Sequence, residues 1–142
     1  MREILFRGKR VDNGEWVEGN YILQNDNEPE RGNYLKTYIK LRNYVNKYEV
    51  VPETVGQYTG LCDKNGKKVF EGDIVEGHCH SQWSHNLQRC VVEYSRYGFE
   101  AREYIEHNGN TWYNSYKVMF SKDVVVIGNI HDNPELLKEG TT

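Results

Sequence analysis

The sequence predicts a mainly β protein, with many short antiparallel strands in a small barrel-like architecture and a short C-terminal helix. Three observations carry that expectation. Asn-Gly pairs at 13–14, 65–66 and 108–109 separate runs in which apolar and polar residues alternate, and both residues tolerate the positive φ of a type I′ hairpin turn. Tyrosine, with 11 residues, dominates the aromatic content, and it suits a half-buried pleated surface. Near the end, Asn133 before Pro134 reads as the N-cap and first position of one short helix.

The elements follow in order. Residues 4–11 and 15–23 are two strand runs joined through Asp12-Asn13-Gly14, with Trp16 as a core anchor. Residues 24–33 are polar, contain Pro29 and Gly32, and read as an exposed loop. Alternation returns from Tyr34 to Val51, Pro52 interrupts it, and Glu53-Thr54-Val55 can make one turn. A second hairpin flanks Asp63-Lys64-Asn65-Gly66, with Phe70 as its core anchor. Gly72-Asp73-Ile74-Val75 then opens another strand; a Gly-Asp pair before a β-branched run turns the chain into a small barrel, which makes the architecture partly SH3-like. Residues 77–89 read as a long polar loop, and 90–95, 98–104, 111–120 and 124–128 as further strands. Asn13-Gly14 leading to Glu18-Gly19 is echoed by Asn65-Gly66 leading to Glu71-Gly72.

A chain of 142 residues makes one domain. Within it, an N-terminal hairpin region over 1–56 is expected to pack on a barrel-like region over 57–142. The formal net charge of -3, with both signs interspersed, argues against a protein whose main task is gripping a nucleic-acid backbone. The start lacks the apolar run of a signal peptide, and no later stretch could span a bilayer. Cys62, Cys79 and Cys90 are odd in number and widely spaced, which fits free thiols in a reducing compartment, by default the cytoplasm, better than a disulfide framework.

Few residues carry chemistry in a recognisable pattern. Gly60 and Gly66-Lys67-Lys68 miss the phosphate-loop spacing and lack its hydroxyl, and Asp63 and Asn65 imitate only part of a calcium loop. A catalytic role for Glu71 or Asp73 requires a second carboxylate close in space. His78, His80, His85 and Cys90 have metal-ligand chemistry and could supply four tetrahedral ligands to zinc, but without the paired spacing of structural zinc sites. Lys36, Lys40, Arg42 and Lys47 interleave with Tyr38 and Tyr44, the mixture of cations and stacking rings that lines single-strand nucleic-acid grooves; it equally describes an amphipathic strand with a wet face.

Three segments together resemble a known family. Ile4-Leu5-Phe6-Arg7-Gly8-Lys9-Arg10 with Asn13-Gly14-Glu15-Trp16-Val17 resembles the opening of the YopX-like proteins of phages and prophages. Thr54 to Leu61, Asp63 to Lys67 and Phe70 to Val75 are similar to that family's long central motif, and Ile127 to Leu137 to its ending. The resemblance implies a β-rich phage or prophage protein and transfers no catalytic residue and no cofactor. The leading reading is a non-enzymatic accessory or binding protein that meets a phage or host protein through residues 24–33 and 77–89; a homo-oligomer is compatible with it, a membrane is not. The second reading is a nucleic-acid-binding module using 34–48. The third is a metal-dependent enzyme using 77–90.

Overall fold

The structure, a computed structural model, describes residues 3–30, 32–43, 45–78, 87–117 and 123–139. By spatial proximity the chain forms two compact units, residues 1–58 and 59–142. The first unit holds β1 (Phe6–Lys9), β2 (Trp16–Glu28), β3 (Gly32–Lys40), β4 (Lys47–Glu49), a 3-10 turn over Pro52–Thr54 and the start of β5 (Gly56–Cys62). The second holds the rest of β5, then β6 (Lys68–Phe70), β7 (Asp73–Gly77), β8 (Gln88–Ser95), β9 (Gly98–His107), β10 (Asn110–Lys117), β11 (Val125–Asn129) and the one-turn α1 (Leu136–Glu139).

In the first unit the strand order is β4-β3-β2-β1, and Gly56 and Gln57 add to the free side of β1. In the second, β6 lies beside β5, and a separate sheet runs β10-β9-β8-β7-β11. The paired strands are antiparallel. The mainly β expectation holds. The barrel does not: among the described strands each ladder is open and ends on edge strands.

Period-2 alternation decides what each face buries. In the second unit Val75, Cys90, Val92 and Ala101 fall on one face and join Val69 and Val124 in the apolar core, with Tyr116 and Val126 packed against them. Leu5, Ile39, Val50 and Tyr58 are the buried apolar residues of the first unit. Gly19 has a separate reason. A Cβ there would lie 2.2 Å from the Lys40 carbonyl oxygen, so only glycine lets the two backbones approach. Phe70 is buried as expected, whereas Trp16 is only half-buried, with the Arg7 guanidinium 4.6 Å above its ring.

All three Asn-Gly hairpins form, but only one as the type I′ turn expected. Asn108 and Gly109 both have positive φ, 53° and 76°, and join the rung between His107 and Asn110. At the other two sites only the glycine is left-handed, with φ 72° at Gly14 and 81° at Gly66. There the Asp63 carbonyl accepts from Gly66 N–H at 3.0 Å, and Asp63 N–H donates to Lys67, a type I turn followed by a left-handed glycine. At the first site Gly14 N–H instead reaches the Arg10 carbonyl, four residues back, so the internal echo extends to the left-handed glycine and not to the turn around it. Gly66 has open space around its Cα, so Gly66→Val meets backbone strain alone and should cost about 1–3 kcal/mol, read as a lowered urea midpoint. An unchanged midpoint would refute the turn assignment.

Two buried aspartates fasten the central motif. Asp63 Oδ1 accepts from Asn65 and Lys67 N–H at 2.8 and 2.9 Å, and Oδ2 accepts from Val126 N–H at 3.0 Å. Asp73 Oδ2 accepts from Phe70 N–H at 2.8 Å, which closes the turn into β7 around the left-handed Gly72. The calcium-loop likeness of Asp63 is thus a turn bonded to its own backbone.

Two expectations are corrected. Residues 24–28 and 32–33, read as loop, continue β2 and β3 in unbroken register from Asn20↔Lys40 to Glu28↔Gly32. Polar bonds take the place of apolar alternation there: Asp26 accepts from Gln24 and from Tyr38 of β3, and Gln24 accepts from Lys47 of β4. At the C-terminus, Asn133 Oδ1 accepts from Asn129 N–H at 3.3 Å, a bond directed back into the preceding turn.

Candidate functional site

The two long strands of the first unit build the most distinctive surface. β1 pairs with β2 only over residues 16–19, and β4 pairs with β3 only over 38–40. Val50 N–H still reaches the Thr37 carbonyl, so among the described residues the ladder is two strands wide from Gln24↔Lys36 to Glu28↔Gly32. An isolated two-stranded ribbon is marginal in water, so its two faces must supply its stability.

One face is polar and internally matched. Tyr38 OH donates to Asp26 Oδ2 at 2.5 Å, Gln24 Nε2 donates to Asp26 Oδ1 at 2.8 Å, and Lys36 Nζ lies 3.9 Å from Asp26. Lys47 donates to Gln24 and sits 4.3 Å above the Tyr38 ring; Lys36 caps the Tyr34 ring at 5.2 Å. The Tyr38 hydroxyl bond holds the Asp26 carboxyl below its ordinary range, and the same bond pushes the phenol up to about 12. The structure thus brings Lys36, Tyr38, Lys40 and Lys47 to one face. It sends Arg42 elsewhere, to Glu3 at 3.4 Å and the Ile4 carbonyl at 2.7 Å. Tyr44 lies outside the described residues. Two of the cations already cover tyrosine rings, so those stacking surfaces are occupied from within the chain.

The other face continues the apolar stripe of the interior past the point where anything covers it. Ile39 and Thr37 are buried, yet Tyr21, Leu23 and Leu35, on the same face by register, are 42, 52 and 61% exposed. A contiguous apolar face rimmed by polar residues marks an interaction surface rather than a scattered exposed side chain. Leu35 falls within the alternating run from Tyr34 to Val51, but the sequence did not reveal the patch because 24–33 read as loop.

A nearby cleft of about 240 Å³ is lined by Arg10, Val11, Asp12, Lys47, Tyr48 and Glu49. It is smaller than ordinary small-molecule pockets. Arg10 is already held by Asp12 at 2.6 Å and stacked 4.2 Å over Tyr48.

In the second unit, Glu71 has the nearby carboxylate that chemistry at this position would require. Burial first, and repulsion from Glu93 second, push its carboxyl above the ordinary range. Glu93 is itself occupied, accepting from Tyr104 OH at 2.5 Å and paired with Arg102 at 3.2 Å. Arg102 also pairs with Glu100 and stacks 4.4 Å from Tyr113. Glu71 is thus a carboxylate folded at a cost when charged. That cost is present above its folded pKa and is relieved as pH falls through the window down to the ordinary glutamate value. Glu71→Gln should therefore raise stability at neutral pH, with the gain shrinking in acid; denaturant midpoints at both pH values check it.

The histidine cluster is only partly described. His78 Nδ1 contacts Asp123 Oδ2, an imidazole–carboxylate pair that orients the ring. Cys90 is fully buried in the apolar core, where it packs as a small hydrophobe. Cys79, His80 and His85 lie outside the described residues, as do the strand positions 118–120. Among the described residues no three His, Cys, Asp or Glu side chains converge as metal ligands, and no helix is long and apolar enough to cross a membrane.

Comparison with known proteins now adds a family. The family model described as YopX protein matches residues 5–138. The chain belongs to the YopX family. No curated protein matches this YopX chain. Among solved structures it is similar to the crystal structure of protein EF1440 from Enterococcus faecalis, at 23% identity and a TM-score of 0.44, over 96% of this chain and 99% of that one. The Asp63 and Asp73 turns and the β2–β3 ribbon all fall inside the matched YopX region.

Proposed function

We propose that this YopX-family protein is a non-catalytic accessory protein of a phage or prophage, acting in the host cytoplasm by binding another protein. The contact surface is the apolar face of the β2–β3 ribbon. A single observation carries this reading: Tyr21, Leu23 and Leu35 extend an interior stripe along β2 and β3 towards the two-stranded end of the ladder and stay exposed there. Burying such side chains is worth about 1.5–3 kcal/mol each, enough for three of them to anchor a partner. The nucleic-acid alternative draws less support, because Lys36 and Lys47 face Asp26, Gln24 and tyrosine rings of their own chain.

The double variant Leu23→Lys/Leu35→Lys tests the reading. Its circular dichroism should match that of the wild type, since both side chains are exposed. In parallel pull-downs from phage-infected cells, a protein captured by the wild type should be lost with the variant. Equal capture by both proteins removes the ribbon from the binding surface. Salt-sensitive retention of DNA or RNA by both would favour the basic face instead.

A further inference from the structure

The edges of the sheets carry a second interaction surface, independent of the ribbon face. An uncovered strand edge offers its backbone N–H and C=O groups to any other strand, and proteins blunt such edges by shortness, lysine, proline or a bulge. β4 and β6 are three residues long and begin on Lys47 and Lys68. β11 shifts register between Val126 and Gly128. Among the described residues β10, the remaining edge, is neither short nor broken by proline or a bulge, and its one lysine stands at its very end. It runs eight residues, Asn110–Lys117, pairs with β9 without a register shift, contains no proline and carries no charge before Lys117. Residues 110–115 are all exposed, among them Trp112 and Tyr113.

We propose that β10 pairs antiparallel with β10 of a second copy of this chain, joining two five-stranded sheets across a two-fold axis. A strand paired antiparallel with itself satisfies that symmetry directly, since each contact is made twice. In the register centred on Tyr113, that ring meets its own symmetry mate, Trp112 meets Asn114, and Thr111 meets Ser115. No like charges face each other, because the strand from Asn110 to Tyr116 is uncharged. An acidic or basic partner strand would find no opposite charge between Asn110 and Tyr116, whereas an identical edge adds an aromatic pair to the backbone hydrogen bonds.

Light scattering on the full chain decides the assembly. The wild type should show a mass about twice the monomer's 16.7 kDa, falling towards one chain on dilution. Thr111→Lys/Ser115→Lys should be monomeric, because each lysine then opposes another across the axis. Within the chain the lysine at 111 would face Glu106, whereas the one at 115 would face Arg102 with the Glu100 carboxylate, 3.0 Å from the present hydroxyl, beside it, so circular dichroism must first show that the variant keeps the wild-type fold. Hydrogen exchange of the wild type supplies a reading free of substitutions, with amides of 110–117 exchanging more slowly as concentration rises. A monomeric wild type at every concentration, a lysine variant that still dimerises, or exchange over 110–117 that ignores concentration would overturn the proposal. Slowed exchange there only on adding an unrelated extended peptide would assign the edge to a foreign strand and overturn it too.

Discussion

Replacing Asp63 with asparagine should lower stability at neutral pH by about 3 kcal/mol, the scale of losing one or two charge-assisted hydrogen bonds in a buried place. The carboxylate is 8% exposed and divides three backbone N–H donors between its two oxygens. An amide keeps one acceptor and turns an NH2 towards the other donors. Burial raises the Asp63 carboxyl, but the bonds from Val126, Lys67 and Asn65 outweigh it and hold the group below its ordinary range. Its stabilisation is therefore complete above the unfolded aspartate value, roughly pH 4, and is lost as pH falls through the lower folded value. Wild type and Asp63→Asn should differ most at neutral pH and converge in acid. Urea midpoints over that range check both points, and a gap that stays constant into acid would show that the charge does nothing.

Phe70→Ala should cost about 3–5 kcal/mol, the usual range for deleting a buried ring and leaving a cavity. Phe70 is 2% exposed, and its N–H is the donor that Asp73 holds, so the ring and the turn into β7 are placed together. Trp16→Ala should cost less, because its ring is half-buried and part of its contact is the Arg7 guanidinium. Chemical denaturation of the two variants side by side separates them. An equal or larger loss for Trp16 would mean that the Arg7–Trp16 stack contributes more than burial does.

What this sequence determined by itself is local. The three Asn-Gly sites, the Pro52 interruption and the Gly72-Asp73 turn were legible because each rests on the φ preferences and short-range bonds of two to four consecutive residues. Alternation likewise placed Val75, Cys90 and Val92 in strands, and the same alternation sends Cys90 into the core with Val92. The three matching segments pointed to the YopX family, and residues 5–138 carry that match.

The tertiary structure decided what depends on partners distant in sequence. Residues 24–28 are strand because Gln24 and Asp26 find Lys47 and Tyr38 across the ladder, and no window within the loop-like stretch contains those partners. Whether an Asn-Gly pair takes positive φ at both residues or only at glycine follows from how many residues the paired strands leave between them, so Asn108 and Asn65 differ although their dipeptides are the same. Glu71 acquires its charged neighbour, Glu93, only when β8 is laid beside β7. The exposed stripe of Tyr21, Leu23 and Leu35 exists because β1 and β4 stop while β2 and β3 continue. Strand pairing sets which side chains meet and where cover ends, and pairing is a contact between segments that no local pattern encodes.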